Sequence, residues 1–369
     1  MEGCDAADEV RFRKENMKTS GPIRGKRSVI GLAIAATLSL ADAAAARQTF
    51  QIGIIDFYGL ITVSPDQARA ALTFNVGDSM VLEDEVRPAA FTSSEARLAT
   101  LPGVERARVN VVCCDAGRLI VYVGIQERGA PALHFRRAPD GAVRLPADIV
   151  AAGDEFSRVF MAAVERGDTG EDRSQGHSLA HDPATRAVQE RFLGFAKRDL
   201  PRLRLVLKDS SDAGQRALAA QVLGYAPNEQ AVVDDLVRAM SDPIDNVRNN
   251  AMRALMVFAD ASSSSTGPGV RVPAAPFVQF LNSPVWTDRN KASLALMALS
   301  SARDPKVLAE LRASALGPLV EIARWKNAGH ALPAFMILAR IGGYSDDAAH
   351  QLWEQGNRDA VIEAARRAR

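Results

Sequence analysis

A repeated pattern of Arg, Ala and Leu in the C-terminal half constrains the fold of this 369-residue chain more than any other feature. It occurs three times, at offsets of 32 and 41 residues, and a fourth copy follows 42 residues later with Ala in place of the Arg. Such offsets match two packed helices and their turns, and one pair cannot bury its apolar face alone. The sequence therefore predicts helix pairs that stack on one another. The copies are Arg216, Ala219 and Leu223; Arg248, Ala251 and Leu255; Arg289, Ala292 and Leu296; and Ala331, Ala334 and Leu338.

The second copy lies in the segment SDPIDNVRNNAMRALMVFAD, residues 241–260. It resembles the second helix of a HEAT repeat, in which Asp-x-Val-Arg opens the helix and small and large apolar residues alternate along the inner face. The resemblance covers roughly residues 185–369 and implies an α-solenoid whose concave surface binds extended partners. A generic helical bundle without a groove is the alternative. The matching positions are Asp245, Val247, Arg248, Ala251, Ala254 and Leu255.

The repeated arginines have two possible roles. They can form a ladder that binds anions, or each can pair with an acid of an adjacent repeat, as the HEAT resemblance implies, and stiffen the stack. We favour the structural role for Arg216, Arg248 and Arg289. The acids expected to pair with them are Asp212, Asp245 and Asp288.

The N-terminal segment has the pattern of an export signal. Basic residues precede an apolar run of about 13 residues at 28–40, and small residues with A-x-A spacing follow. The run is shorter than the roughly 20 residues that cross a bilayer, although an uncleaved anchor is the alternative. We therefore expect a signal peptide at residues 1–45, with a possible true start at Met17, and a periplasmic or secreted protein without a membrane span after cleavage.

Charge argues against a nucleic-acid partner. Residues 1–45 hold seven Lys or Arg and six Asp or Glu, so the remaining chain has equal numbers of basic and acidic residues. A nucleic-acid-binding protein usually keeps a basic surplus to contact phosphates.

A small mixed α+β module, residues 47–130, is predicted next. Its pattern gives strand, helix, helix, strand and strand (βααββ). The segments IDFYGLITVSPDQARAALTFNVGD, LATLPGVERARVNV and GRLIVYVGIQE, within residues 50–128, resemble a POTRA domain. POTRA domains are nonenzymatic and bind polypeptides, partly by adding a strand at an exposed sheet edge, and this mode has a physical basis in unpaired backbone groups.

Residues 131–183 connect the module to the repeats at 184–369. The segment 132–146 is predicted as a hairpin around Asp140 and Gly141, and an amphipathic helix follows. The polar stretch DTGEDRSQGHSLAHDP has the composition of an exposed loop or linker, with Asp182 as the N-cap of the next helix.

This polar stretch holds the candidate catalytic and metal residues. GHSLA approximates the nucleophile elbow around Ser178, but no strand precedes it. His177 and His181 have the i, i+4 spacing of metal ligands, with Asp182 beside them. A polar loop is the favoured interpretation, and a secreted metal-dependent hydrolase that uses this loop is the alternative function.

Two adjacent cysteines, Cys113 and Cys114, end an apolar strand. Strand alternation places them on opposite faces, which argues against joint metal ligation, and a disulfide between neighbours needs an unusual backbone. We expect Cys113 in the core and Cys114 exposed, where its thiol can link two chains into a homodimer.

Taken together, the sequence predicts a predominantly helical protein: an N-terminal α+β POTRA-like module followed by an all-α HEAT-like solenoid. The expected function is that of an exported, noncatalytic scaffold without a cofactor or metal. It would bind a protein or polypeptide partner through a sheet edge and the helical-repeat surface.

Overall fold

The computed structural model describes residues 48–82, 87–263 and 269–368. The predicted signal peptide, with Met17, lies outside these residues. The described chain forms a small α+β region followed by many helices, which confirms the mixed and predominantly helical fold class.

The N-terminal region contains a four-stranded sheet with the order β2-β1-β4-β3. The central strand β4 pairs parallel to β1 and antiparallel to β3, and β2 pairs antiparallel to the beginning of β1. The predicted order of strand, helix, helix, strand and strand is present, with β2 as an additional short strand between the helices. The elements are β1 (Gln48–Tyr58), α1 (Pro65–Ala70), β2 (Ser79–Leu82), α2 (Ala89–Leu98), β3 (Val104–Asp115) and β4 (Arg118–Glu127).

Both faces of this sheet are covered. One face packs against α1 and α2 around Ile55, Leu72 and Phe91. The opposite face, with Tyr58 and Tyr122, belongs to the same apolar core as the helices that follow. A strand buried on both faces is apolar without alternation, and this accounts for the continuous apolar run of β4.

The remaining elements are mainly helices. They are α3 (Ala147–Glu165), β5 (Glu171–Asp172), β6 (Leu179–Ala180), α4 (Pro183–Arg198), α5 (Leu200–Asp209), α6 (Ala213–Leu223), a short 3-10 helix (Glu229–Val232), α7 (Val233–Ala239), α8 (Asp245–Ser262), α9 (Ala275–Phe280), α10 (Trp286–Leu299), α11 (Pro305–Ala323), α12 (Ala328–Ile341), α13 (Asp346–Glu354) and α14 (Arg358–Arg367).

These helices pack against their neighbours in the chain and also form a continuous series. Helix α5 contacts α6, α7 contacts α8, α9 contacts α10, and α11 contacts α12. The second members also contact one another in order, α6 with α8, α8 with α10, and α10 with α12. The helix that contains the Asp-x-Val-Arg segment begins at Asp245, as the sequence predicts.

An aromatic cluster joins the sheet to the helices. The Tyr122 ring stacks on Trp286 with ring centroids 5.3 Å apart, and its hydroxyl lies 2.7 Å from Nδ1 of His330. The Tyr58 hydroxyl donates to the carbonyl oxygen of Pro284 at 2.9 Å. The sheet and the helices are therefore packed as one body at this face.

The segment 130–146, here named the connecting segment, is extended, and the predicted hairpin is wrong. Its backbone groups bond to the turns between helices rather than to each other: the amide of Arg136 donates to Ser241 at 2.7 Å, and that of Gly141 donates to Asp209 at 2.9 Å. The turn residues Asp140 and Gly141 lie instead where the segment crosses the start of the helical series.

The polar stretch 168–183 is also more ordered than a linker. Strands β5 and β6 form a small antiparallel pair, and Ser178, Leu179 and Asp182 are buried. As predicted, the Asp182 side chain caps α4, and it accepts the amide of Thr185 at 2.7 Å. In the described ranges, no helix has both the length and the apolar character needed to cross a bilayer.

Candidate functional site

The three repeated arginines are buried and pair with acids of the following helix pair. Nε of Arg216 lies 2.9 Å from Asp242, and Nε of Arg248 lies 3.0 Å from Asp288. Arg289 donates to Glu321, and each guanidinium also donates to a carbonyl oxygen six residues earlier in the chain. Because each guanidinium already faces a carboxylate and a carbonyl, the arrangement is suited to holding helix pairs together rather than to binding solvent anions.

Of the three acids expected to pair with these arginines, one does so and two have other contacts. Asp288 does pair with Arg248. Asp212 instead caps α6 by accepting the amide of Gln215, and Asp245 accepts the amide of Asn246 at the start of α8. Both are local backbone roles that an acid at a helix start commonly takes.

The N-terminal half of the chain contacts two of these arginines directly. The guanidinium carbon of Arg289 lies 4.4 Å from the ring centre of Tyr58, and that of Arg248 lies 4.3 Å from the ring centre of Phe135. The amide of Gly59 also donates to Glu321, at 2.6 Å. The row of buried arginines therefore holds the sheet and the connecting segment in place as well as the helices. The backbone groups of the sheet that another strand could pair with are then those at its two edges.

The edge at β3 is blocked at its centre. The amide of Val109 donates to Glu95 at 2.7 Å, and its carbonyl oxygen accepts a bond from Arg87 at 2.7 Å. Arg87 and Glu95 also form an ion pair with each other. These backbone groups point away from β4, so the ion pair occupies the positions that an added strand would need.

The edge at β2 is different. The amide of Ile52 on β1 donates to the carbonyl oxygen of Asp78, and the residues of β2 that follow alternate in the direction of their backbone groups. The backbone groups of Met80 and Leu82 therefore face β1, whereas those of Ser79 and Val81 face the outer edge. Within the described residues, β2 has β1 as its one neighbour in the sheet. The Val81 side chain is 43% exposed. An extended segment can therefore pair here without displacing an existing contact among these residues.

The structure joins Cys113 and Cys114 in a disulfide, contrary to the prediction of a core cysteine and an exposed thiol. The pairing register of β3 with β4 shifts between Val112 and Asp115, so strand alternation does not hold at this point. Both cysteines are half-buried and pack against the same apolar cluster. An intermolecular bond at Cys114 would first require this internal bond to break.

A cleft lies beside the loop that joins β5 and β6, between α3, α6 and α8. Arg253 and Ser178 both donate to Glu171, which lies in the wall of this cleft. Burial works against ionisation of Glu171, but Arg253 and Arg173 hold its pKa at about 2. Ionised Glu171 thus accepts bonds from Ser178 of the loop and from Arg253 of α8, and these charge-assisted contacts hold the loop against that helix.

The structure gives the three candidate metal ligands different surroundings. The His177 ring stacks on Tyr225, whereas His181 is exposed, and Asp182 is occupied by the α4 cap and by Arg166. Burial lowers the pKa of His177. Over the described ranges, no three His, Cys, Asp or Glu side chains come together as metal ligands would.

Sequence reasoning missed Glu229, Arg87 and Glu95. Glu229 is 7% exposed and packs against the backbone of Gly176. Burial raises its pKa to about 7. No local motif marks any of the three, because their significance depends on neighbours that are remote in the chain.

Comparison with known proteins adds no family. No family model matches the chain, and no curated protein matches it significantly.

Proposed function

We propose that the protein is an exported, noncatalytic scaffold that binds an extended polypeptide segment at the β2 edge of its sheet. The observation that carries the proposal is the contrast between the two edges. The Arg87–Glu95 ion pair occupies the backbone groups of Val109 on β3, whereas Ser79 and Val81 on β2 present theirs outward. An added strand would satisfy these groups, and its side chains would cover exposed Val81.

The helical region supports the scaffold role. The successive contacts of α6, α8, α10 and α12 and the buried arginine ladder are what a HEAT-like solenoid would require, and the parallel pairing of β1 with β4 fits a POTRA-like module. A rigid helical series would hold the β2 edge in a constant position and offer a second surface for the same polypeptide.

Selection from a displayed library of random 12-residue segments tests the edge. Val81→Pro removes an outward amide, and the bonds of Met80 and Leu82 to β1 remain. The matched control is Ala107→Pro, which removes an outward amide from the β3 edge. We expect segments selected on the full chain to lose about tenfold or more in affinity for Val81→Pro, about 1.4 kcal/mol, and to retain affinity for Ala107→Pro.

Two results would contradict the proposal. If the two proline variants reduce affinity equally, the segments do not add at β2. If the purified protein holds stoichiometric zinc that a His177→Ala, His181→Ala variant loses, the noncatalytic assignment fails and the metal-dependent hydrolase becomes the better candidate.

A further inference from the structure

A second candidate binding surface lies between the C-terminal ends of α5 and α7. Arg204 and Lys208 of α5 and Arg238 of α7 line a crevice that encloses about 200 Å³, open mouth included. Arg136 of the connecting segment closes one side, and Asp235 is the one carboxylate among the lining residues. Four cations and one carboxylate thus line the crevice, and a second carboxylate, that of buried Asp242, pairs with Arg136.

Two of the four cations already contact other groups of the protein. Arg136 donates to the carbonyl oxygens of Leu207 and Lys208 at 3.0 and 2.9 Å, at the C-terminus of α5, where a cation is favoured. Its guanidinium also forms an ion pair with buried Asp242 at 2.7 Å. Nε of Arg204 lies 2.6 Å from Asp235. These contacts account for the placement of Arg136 and Arg204, but not for the other two cations.

Arg238 and Lys208 remain available to a ligand. Arg238 is exposed and has no ion pair with any residue in the described ranges. The Lys208 ammonium has its nearest carboxylate contact with Asp209 at 3.8 Å, and that pair is exposed to solvent. Such a pair is weak, so an incoming anion can compete for the ammonium.

We propose that this crevice binds a phosphate group. A guanidinium offers a planar fork of donors that matches two phosphate oxygens, and an ammonium adds a compact charge at a third. Arg238 of α7 and Lys208 of α5 provide these two donor types, whereas Arg136 and Arg204 are already paired with Asp242 and Asp235. The site is independent of the β2 edge and does not depend on polypeptide binding there.

Titration calorimetry of the full chain with pyrophosphate at low ionic strength tests this site. The variant Lys208→Ala, Arg238→Ala removes the two available cations. The control Lys197→Ala, Arg202→Ala removes the same charge from two exposed residues of α4 and α5 outside the crevice. We expect the crevice variant to bind at least about tenfold more weakly and the control to change by less than about threefold.

Vesicles distinguish a free phosphate from a lipid headgroup. Sedimentation with phosphatidic acid vesicles, compared with phosphatidylcholine vesicles, shows whether the crevice accepts a membrane-borne phosphate, again judged by loss in the crevice variant. Equal weakening by both double variants would overturn the proposal, because diffuse surface charge would then explain binding. The proposal would also be overturned if the wild-type chain bound neither pyrophosphate nor phosphatidic acid vesicles.

Discussion

We expect the buried carboxyl group of Glu229 to make the stability of the fold depend on pH up to about 7, where its raised pKa lies. It begins the short 3-10 helix, and its side chain faces the backbone of Gly176 in the loop between β5 and β6. Its Oε2 atom is buried, and no hydrogen-bond partner for it lies in the described parts of the chain. Burial alone raises its pKa from 4.5 to about 7, without a compensating cation.

The sign and size of the effect follow from this pKa. A carboxyl group with a higher pKa in the folded state stabilises the fold while it is protonated, so stability falls as pH rises from 4.5 to about 7 and is constant above. Each pH unit corresponds to about 1.4 kcal/mol, so the rise in pKa corresponds to about 3 kcal/mol at most.

The variant Glu229→Gln keeps the shape of the side chain and removes its charge. We expect it to raise the free energy of unfolding at pH 8, and to do so by about 2 kcal/mol more than at pH 5, where nearly all of the carboxyl is protonated in the folded state. Urea unfolding at the two pH values measures this difference. The matched control is Glu354→Gln, an exposed position at the end of α13, which should change stability by less than about 0.5 kcal/mol at either pH.

The comparison at a fixed pH removes contributions that the variant and the wild type share, such as titration of His177. An equal effect of Glu229→Gln at pH 5 and pH 8 would refute the reasoning, because the carboxyl would then titrate normally in the folded state. Destabilisation at pH 8 would show that the charge is compensated.

Two further substitutions test the packing. Arg248→Met leaves Asp288 as a buried charge without its cation and should destabilise the fold by about 3–5 kcal/mol. Since burial raises the pKa of Asp288, the deficit in urea unfolding should be smaller at pH 5 than at pH 8, and adding Asp288→Asn should restore part of the stability. Gly124→Ala places a methyl group into the carbonyl of Pro284 where the sheet meets the helices. We expect the free energy of unfolding to fall by about 3 kcal/mol. The unfolding transition followed by tryptophan fluorescence should therefore occur at a lower urea concentration. The control Gly194→Ala, in open space on α4, should stabilise by about 0.5–1 kcal/mol, and equal losses in the two glycine variants would contradict the packing of this interface.

Much of the local structure could be predicted from the sequence. The Asp-x-Val-Arg segment predicts a helix that begins at Asp245, and α8 begins there. The alternation of residues 109–112 predicts that Val109 and Val112 face opposite sides of β3, and they belong to different apolar clusters. These patterns succeed because the side-chain period of a helix or strand is a local property of the backbone.

The second buried face of the sheet is marked in the sequence by the composition of β4. Residues 119–125 are continuously apolar apart from Gly124, whereas a strand with one solvated face would alternate. Tyr58, Tyr122 and Trp286 lie far apart in the chain, so their contact could not be predicted from spacing alone.

The sequence by itself determined most of the helices, the order of the main N-terminal elements and the period of the helical region, because these depend on neighbours within a few turns. It did not predict β2, β5 or β6, and the hairpin that it predicted at 132–146 does not form. Tertiary structure decided which charges meet and which edges stay open. Arg248 pairs with Asp288 rather than Asp245 because the acid 40 residues away lies on the facing helix. Likewise, Arg87 and Glu95 cover β3 because folding brings α2 alongside that edge of the sheet, whereas β2 has no neighbour on its outer side among the residues that the structure describes.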